Sequence, residues 1–256
     1  MQPKDYKDNF FEYHLQGAVN SAKAVIPVVR DYIMPASVID IGCGIGAWLS
    51  VWKSTGVAAV FGVDGEHVDS TKLVIDGSEF KAFDLSKIYA TDKKYDLVTC
   101  LEVAEHLPSN VADKFVASLC SLGDVILFSA AIPGQEGTMH INEQYPEYWI
   151  AIFKKNKYVA IDCIRHRIWN DKTIQWWYRQ NIMFFVREDT LPKYPSLKKA
   201  HDENKGDVLS LVHPELLDFK EHKVNYYESV LRSSSATLKY FFNYLFKKKA
   251  DERREY

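Results

Sequence analysis

Gly42, Gly44 and Gly46 stand at alternate positions directly after the apolar run Val38-Ile-Asp-Ile41 and before a helix-compatible stretch. Glycine lets a backbone bend sharply and come closer to a ligand than any side chain permits, so this turn is expected to lie under something bulky and polar. Two acids accompany it: Asp40, two residues before the first glycine, and Asp64, which closes the next apolar run, Val60-Phe-Gly-Val63. A carboxylate at such a strand end can accept both hydroxyls of a ribose diol. Taken alone, Gly42-x-Gly44-x-x-Ala47 also fits the looser dinucleotide fingerprint, whose implied activity is that of an NAD(P)-dependent oxidoreductase. A second group of chemistry-bearing residues follows in Glu102-x-x-Glu105-His106 and, later, His140. On a helix these first three side chains lie near one face, and Pro108 stops the run. Glu102, Glu105, His106 and His140 together offer ligands for a divalent cation, Mg2+ or Mn2+; without a metal, the histidines serve as bases.

These residues need a scaffold. The apolar, often β-branched runs Ser37–Ile41, Ala58–Val63, Tyr95–Cys100, Asp124–Ser129 and Val159–Cys163 read as strands separated by helix-length segments. Ala47–Lys53, Ala112–Leu122 and Tyr148–Phe153 carry helical spacing, and Gly123 is placed to end a helix. Strand alternating with helix predicts a parallel sheet covered on both faces, with ligands at the C-terminal edge of the strands, where the motifs put both histidines. Residues 180–186 read as a last strand after the aromatic cluster Trp176-Trp177-Tyr178; neighbours on a strand face opposite sides, so at least one of the two tryptophans is expected in the core. The αβ domain is therefore expected to span residues 1–188, with 1–34 as an N-terminal lid and helix, and residues 189–256 to form a linker and a C-terminal helical extension. In that extension Leu238, Phe241, Phe242 and Leu245 recur at helical spacing before Lys247-Lys-Lys249. This predicts a helix packed on the core or, in a homodimer, on a second subunit; a basic amphipathic end would alternatively touch an anionic membrane surface or a glycan-assembly complex.

Composition narrows the classes. A chain of 256 residues, 47% hydrophobic with 12 glycines and 9 prolines, should bury a sizeable core. Lys+Arg 32 against Asp+Glu 34 gives a net charge of −2 and no global reason to bind DNA. No apolar run approaches a membrane span or a signal sequence, and Cys43, Cys100, Cys120 and Cys163 form no C-x-x-C pair. Buried thiols in a reducing cytoplasm are the expectation.

The motif Asp40-x-Gly42-x-Gly44-x-Gly46 resembles the first motif of the class I S-adenosylmethionine-dependent methyltransferases. The likeness continues at Asp64, at Phe83-Asp84-Leu85 and at Tyr95-Asp-Leu-Val-Thr-Cys-Leu-Glu-Val-Ala-Glu-His-Leu107, covering residues 35–130 in the family's order. It implies a Rossmann-like three-layer αβα sandwich on a mostly parallel seven-stranded sheet with an antiparallel last strand. It implies S-adenosyl-L-methionine as cofactor, with Asp40, Gly42, Cys43, Gly44, Asp64, Asp84, Leu85 and Glu102 around it. The methyl sulfonium of that cofactor is already electrophilic, so the protein must orient a nucleophile and, for a hydroxyl, remove its proton. His106 and His140 are the expected bases, with Glu105 beside them. The family's Asn/Asp-Pro-Pro-Tyr signature of base and amine methylation is absent, and Cys100-Leu-Glu-Val103 stands in its place.

The Glu-x-x-Glu-His set with a later histidine looks like the metal-dependent enzymes that methylate the terminal ribose of small RNAs, which keeps a ribose 2'-O-methyltransferase in view. The segments 129–137, 140–149 and 168–181 are instead similar to a branch of methyltransferases associated with polysaccharide and glycoconjugate biosynthesis, so that the resemblance covers residues 10–187. That branch implies a sugar acceptor. Indoles suit the C–H faces of a pyranose and amide or carboxylate groups suit its rim, which nominates Trp169, Trp176, Asn142 and Glu143. In this superfamily the segment before the first strand commonly covers the cofactor, so Tyr13, His14 or Gln16 is expected to touch cofactor or acceptor.

Overall fold

A computed structural model describes the backbone of residues 3–203 and 209–252, and the side chains of residues 15–203, 209–233, 235 and 238. Two compact units are present, Met1–Leu211 and Val212–Tyr256.

The first unit is built on seven strands: β1 (Ser37–Ile41), β2 (Ala59–Asp64), β3 (Phe80–Ala82), β4 (Leu97–Leu101), β5 (Val125–Ser129), β6 (Tyr158–Ile161) and β7 (Met183–Arg187). They form one sheet in the order β3-β2-β1-β4-β5-β7-β6, parallel except for β7, which runs antiparallel to both neighbours. The order reverses between β1 and β4, and the crevice at that reversal is where such sheets bind ligands.

Alternation within the strands creates the layers. Val125 and Leu127 of β5 and Phe184 and Val186 of β7 belong to the core on one face, Ile126, Phe128, Met183 and Phe185 to the core on the other. The first face is covered by helices α1 (Pro3–Arg30) and α2 (Ala47–Ser54), the second by α3 (Ala112–Leu122) and α4 (Pro146–Lys155). Helix α1 buries Ala22, Val25, Ile26 and Val29, a stripe at i, i+3, i+4 and i+7. On the other face the Phe153 ring stacks on Phe185 with centroids 3.8 Å apart.

Between β6 and β7 the chain makes α5 (Arg165–Ile168) and α6 (Trp176–Asn181). The tryptophan pair therefore starts a helix instead of lying on a strand; both are half-buried, and Trp177 packs against the core. The segment expected as a linker after residue 188 is also structured. It forms a 3-10 turn (Leu191–Lys193) and helix α7 (Pro195–Glu203), and Leu191, Leu197 and Ala200 join the core. Its two prolines sit in first turns, where a missing N–H costs nothing. The compact unit thus runs to Leu211.

The second unit contains the long helix α8 (Pro214–Glu252); Phe241, Phe242, Leu245 and Lys247-Lys-Lys249 have side chains outside the described residues. Among the described residues no helix is long and apolar enough to cross a membrane. All four cysteines are free and buried.

Candidate active site

The glycine turn joins β1 to α2. Gly42, Gly44 and Gly46 take φ values of 84°, 54° and 90°, a region that side chains disfavour. At Gly42 the demand is also steric, since a Cβ would stand 2.2 Å from Cγ2 of Val103. At Gly44 a Cβ would meet nothing within 4 Å, which leaves bare backbone facing open space. The Asp64 carboxylate ties two loops together: Oδ2 accepts the Gly44 N–H at 2.6 Å and Oδ1 the Gly65 N–H at 2.6 Å.

Over this turn lies a cleft of about 420 Å³, within the range of small-molecule sites. Asp40, Gly42, Cys43 and Gly44 line it, as the motif implies. Asp40 is buried at its floor, where the Thr99 hydroxyl donates to Oδ1 at 2.6 Å. Burial pushes its pKa up to about 7, against the lowering effect of that hydrogen bond. Burial also raises the Cys43 thiol far above its ordinary range, so it is a packing group, resting in the space that Gly62 leaves. A carboxylate at the base of a glycine-floored cleft suits a ligand with a cationic end.

The cleft has walls that the motifs do not announce. Leu15 and Ala18 come from α1, His67, Val68, Asp69 and Lys72 from the loop after β2, and Trp48 and Tyr178 from two helices. The Trp48 indole N–H donates to the Tyr178 hydroxyl at 3.4 Å and the rings meet edge to face. Gln16 is exposed and donates to Asn20, while the side chains of Tyr13 and His14 lie outside the described residues. Asp84 and Leu85 do not line the cleft. Asp84 is exposed and accepts the Ser86 N–H and hydroxyl at 3.0 and 2.6 Å, a local turn that folds its carboxylate back on its own chain, and Leu85 is buried in the core.

Beyond the cleft, at the same sheet edge, the carboxylates and histidines are arranged differently from a helical face. Glu102 ends β4 with φ 57°, and only Ala104–His106 form a 3-10 turn. The Glu102 carboxylate turns toward buried amides: Oε2 accepts from Gln135 Nε2 at 2.7 Å and Oε1 from Asn181 Nδ2 at 3.0 Å. Gln180 donates in turn to Gln135 and Asn181. Glu102 falls outside the group whose candidate ligand atoms lie within 4.8 Å of one another, Glu105, His106 and His140, while its carboxylate still meets that of Glu105.

Glu105 is fully buried and neither carboxylate oxygen has a hydrogen-bond partner. Burial and then the Glu102 charge drive its pKa well above the carboxylate range. His106 Nδ1 lies 3.3 Å from the Met139 carbonyl and His140 Nδ1 3.0 Å from Glu143 Oε1. Acceptors at both Nδ1 atoms fix a tautomer in which Nε2 carries the lone pair, the form a base or a metal ligand requires. Burial and the neighbouring His140 lower the His106 pKa, which keeps it neutral near pH 7. Gly137 makes room for the second ring, because a Cβ there would stand 2.2 Å from His140 Nε2. Among the described residues, three of the four non-glycine residues with positive φ, Glu102, Glu136 and Met139, surround this cluster, a concentration of strain typical of working sites.

The four acceptor candidates separate. Glu143 organises its own loop: Oε2 accepts the Gly134 N–H and Oε1 the Glu136 N–H, each at 2.7 Å, besides the contact to His140. Asn142 is buried, with Oδ1 accepting from Gln144 at 3.0 Å and its amide nitrogen unpartnered. Trp169 and Trp176 are half-buried on the segment between β6 and β7.

A doubly wound seven-stranded sheet with its last strand inverted, a glycine turn at the order reversal and a carboxylate at the cleft floor define a class I S-adenosylmethionine-dependent methyltransferase fold. Comparison with known proteins agrees. The profile of a methyltransferase domain family matches residues 33–193, and the chain belongs to that family. A magnesium-protoporphyrin O-methyltransferase of Synechocystis is 30% identical over 113 residues, 41% of this chain and 49% of that protein, so the chain spans about half the length of this curated relative. The solved magnesium protoporphyrin IX methyltransferase of Synechocystis with bound S-adenosylmethionine is 23% identical, covering 67% of this chain and 79% of the other, with a TM-score of 0.47. An amino pentose methyltransferase from Micromonospora echinaspora, also with bound S-adenosylmethionine, is 15% identical, covering 73% of this chain and 98% of its own, with a TM-score of 0.52. The chain thus carries a methyltransferase domain, and this family assignment sets aside the dinucleotide oxidoreductase reading.

Proposed function

We propose that this enzyme methylates a hydroxyl of a sugar in a glycan or glycoconjugate, with a divalent cation, Mg2+ or Mn2+, held by Glu105, His106 and His140 and lowering the pKa of the acceptor hydroxyl; with no metal bound, His140 or His106 would be the base. The observation that carries the reading is the cluster itself: two imidazoles oriented through Nδ1 beside a buried carboxylate with both oxygens unpartnered. A buried acid left without a donor is costly unless a proton or a cation joins it. One carboxylate and two imidazoles form a mixed set that suits Mn2+ better than the oxygen-preferring Mg2+, with the remaining positions open to an acceptor.

S-adenosylmethionine, when bound, supplies the electrophilic methyl group. Gly42 and Gly44 give it a floor of backbone and Asp40 offers a carboxylate to its cationic end; Asp64, outside the cleft lining and holding the Gly44 and Gly65 N–H groups, is assigned the ribose diol through its remaining lone pairs. Trp48, Leu101 and Tyr178 exclude water from one wall of the cleft. Glu143 holds the His140 ring so that Nε2 is presented to the cation or, with no metal bound, to the acceptor proton. Glu102 is locked by two amides beside the reacting edge, where burial raises its pKa. Trp169 and Trp176 remain for the acceptor's apolar face, and a methyltransferase named for an amino pentose shares the fold. The three-residue cluster equally fits the vicinal hydroxyls of a terminal ribose, which keeps RNA ends as the second reading.

Transfer of labelled methyl groups, assayed on sugars, nucleotide sugars and short RNAs in EDTA and then in Mn2+, tests this. The reading expects label on sugars that rises with Mn2+, together with Mn2+ binding heat that is lost in Glu105→Gln. Label on RNA alone would move the acceptor, and full turnover in EDTA would leave the histidines as bases without a metal.

A further inference from the structure

Leu217, Val224, Leu231 and Leu238 fall on α8 at a strict seven-residue interval and are 60%, 55%, 69% and 56% exposed. Leu245 continues the series in the sequence. Tyr227, also exposed, lies three residues past Val224 and widens the stripe. A straight helix has 3.6 residues per turn, so positions seven apart drift by ~20° per repeat. A stripe that keeps the interval of seven is covered along its length by a helix that supercoils with it. At 39 residues, or about 58 Å, α8 is long enough for five such repeats.

We infer that α8 pairs with the α8 of a second copy of this chain, parallel and in register, with Leu217, Val224, Leu231 and Leu238 as the seam. Charge selects the occupant and its direction. With the seam residues at heptad position a, Lys223 is at g and Glu228 at the e position of the following heptad. In a parallel pair these two oppose each other across the seam, once on each side. An antiparallel pair would instead set e against e′, where Glu221 and Glu228 bring acid toward acid. The borders of the described stripe carry both signs, Lys223 on one side and Glu221 and Glu228 on the other, which offers an anionic membrane no uniformly basic face. Glu228 meets Arg232 on its own helix at 3.0 Å, but that pair is exposed and readily exchanged. The polar residues Lys220 and Ser234 at position d weaken the seam while fixing its register.

Sedimentation velocity on the full chain from low to high micromolar concentration, with cross-linking of Leu231→Cys, is the test. The native thiols are all buried, so the introduced one is the reactive group. A parallel in-register seam brings the two copies of position 231 to about 6 Å between Cα atoms, within disulfide reach. The expected result is a dimer that Leu231→Cys cross-links under mild oxidation. Val224→Asp with Leu231→Asp should return a monomer with unchanged S-adenosylhomocysteine affinity. Lys223→Glu should weaken the dimer, and adding Glu228→Lys should restore it. A wild-type monomer at every concentration, a dimer indifferent to the paired aspartates, or a charge swap that restores nothing would overturn the inference. Co-flotation of a monomeric wild type with phosphatidylserine vesicles would also overturn it, giving the stripe to lipid.

Discussion

Replacing Asp40 with asparagine removes a buried charge while keeping an oxygen for the Thr99 hydroxyl. In the unfolded chain this carboxyl titrates near the usual ~3.9, and in the folded cleft burial raises it to about 7. Between those values the folded state holds a proton that the unfolded state has released, so stability falls as pH rises and the loss is complete above about pH 7. At ~1.4 kcal/mol per unit, the three-unit gap costs the ligand-free enzyme up to about 4 kcal/mol at pH 8, and roughly 1.5 kcal/mol at pH 5. The Asp40→Asn variant has no proton to release there. Any penalty of the new amide is independent of pH, so the slope is the readout. The melting temperature of Asp40→Asn minus that of wild type should widen by roughly 5–10 °C from pH 5 to pH 8, taking ~2–4 °C per kcal/mol for a unit of this size. Binding should move the opposite way. The ammonium end of S-adenosylhomocysteine favours the ionised acid, so wild-type affinity should rise by about tenfold from pH 6 to pH 8, and the variant should bind weakly and without that slope. Melting curves by circular dichroism and titration calorimetry across pH 5–8.5 measure both. A melting difference that stays constant with pH would refute the argument.

Gly42→Ala combines a φ of 84° with a Cβ 2.2 Å from the stiff Val103 side chain, and should cost about 2–4 kcal/mol in chemical denaturation besides weakening the cofactor; a loss below ~0.5 kcal/mol would show that the turn relaxes. His140→Ala should leave S-adenosylhomocysteine binding intact and lower turnover by roughly 10²–10⁴-fold, and an unchanged rate would remove this imidazole from proton transfer. Gly137→Val should reproduce much of that loss without touching the histidine, since Glu143 prevents the ring from stepping aside; wild-type turnover would mean that the loop yields.

What could be read from the chain was what is encoded locally. Short apolar runs located the strands to within a residue or two at most ends, and glycines that need positive φ announced the turn. Misreadings arose where a local rule competed with a distant one. Asp84 sits at a strand end where an acid could face a ligand, yet Ser86 captures it two residues away. Glu102 shares its spacing with Glu105 and His106, but its left-handed backbone and the amides of Gln135 and Asn181, 33 and 79 positions away, take it elsewhere. Glu143 has the residue type of a sugar contact and both its oxygens are engaged inside its own loop. Tyr178 carried no signal of a cleft wall, because its partner Trp48 is 130 residues distant.

The inverted strand has a consequence for how such an enzyme can change. A parallel strand delivers to the ligand edge only the loop that follows it. Strand β7 begins where β5 ends, with Met183 beside Phe128, so it delivers the segment that precedes it. The whole excursion from the end of β6 to the start of β7, residues 162–182, therefore opens onto the reacting edge, carrying both candidate acceptor tryptophans, Tyr178 and the amide that grips Glu102. It is separate in sequence from the glycine turn and from Asp64. Substitutions or insertions there can retune which molecule is modified while the donor half is inherited unchanged, a division of labour by which one scaffold diversifies.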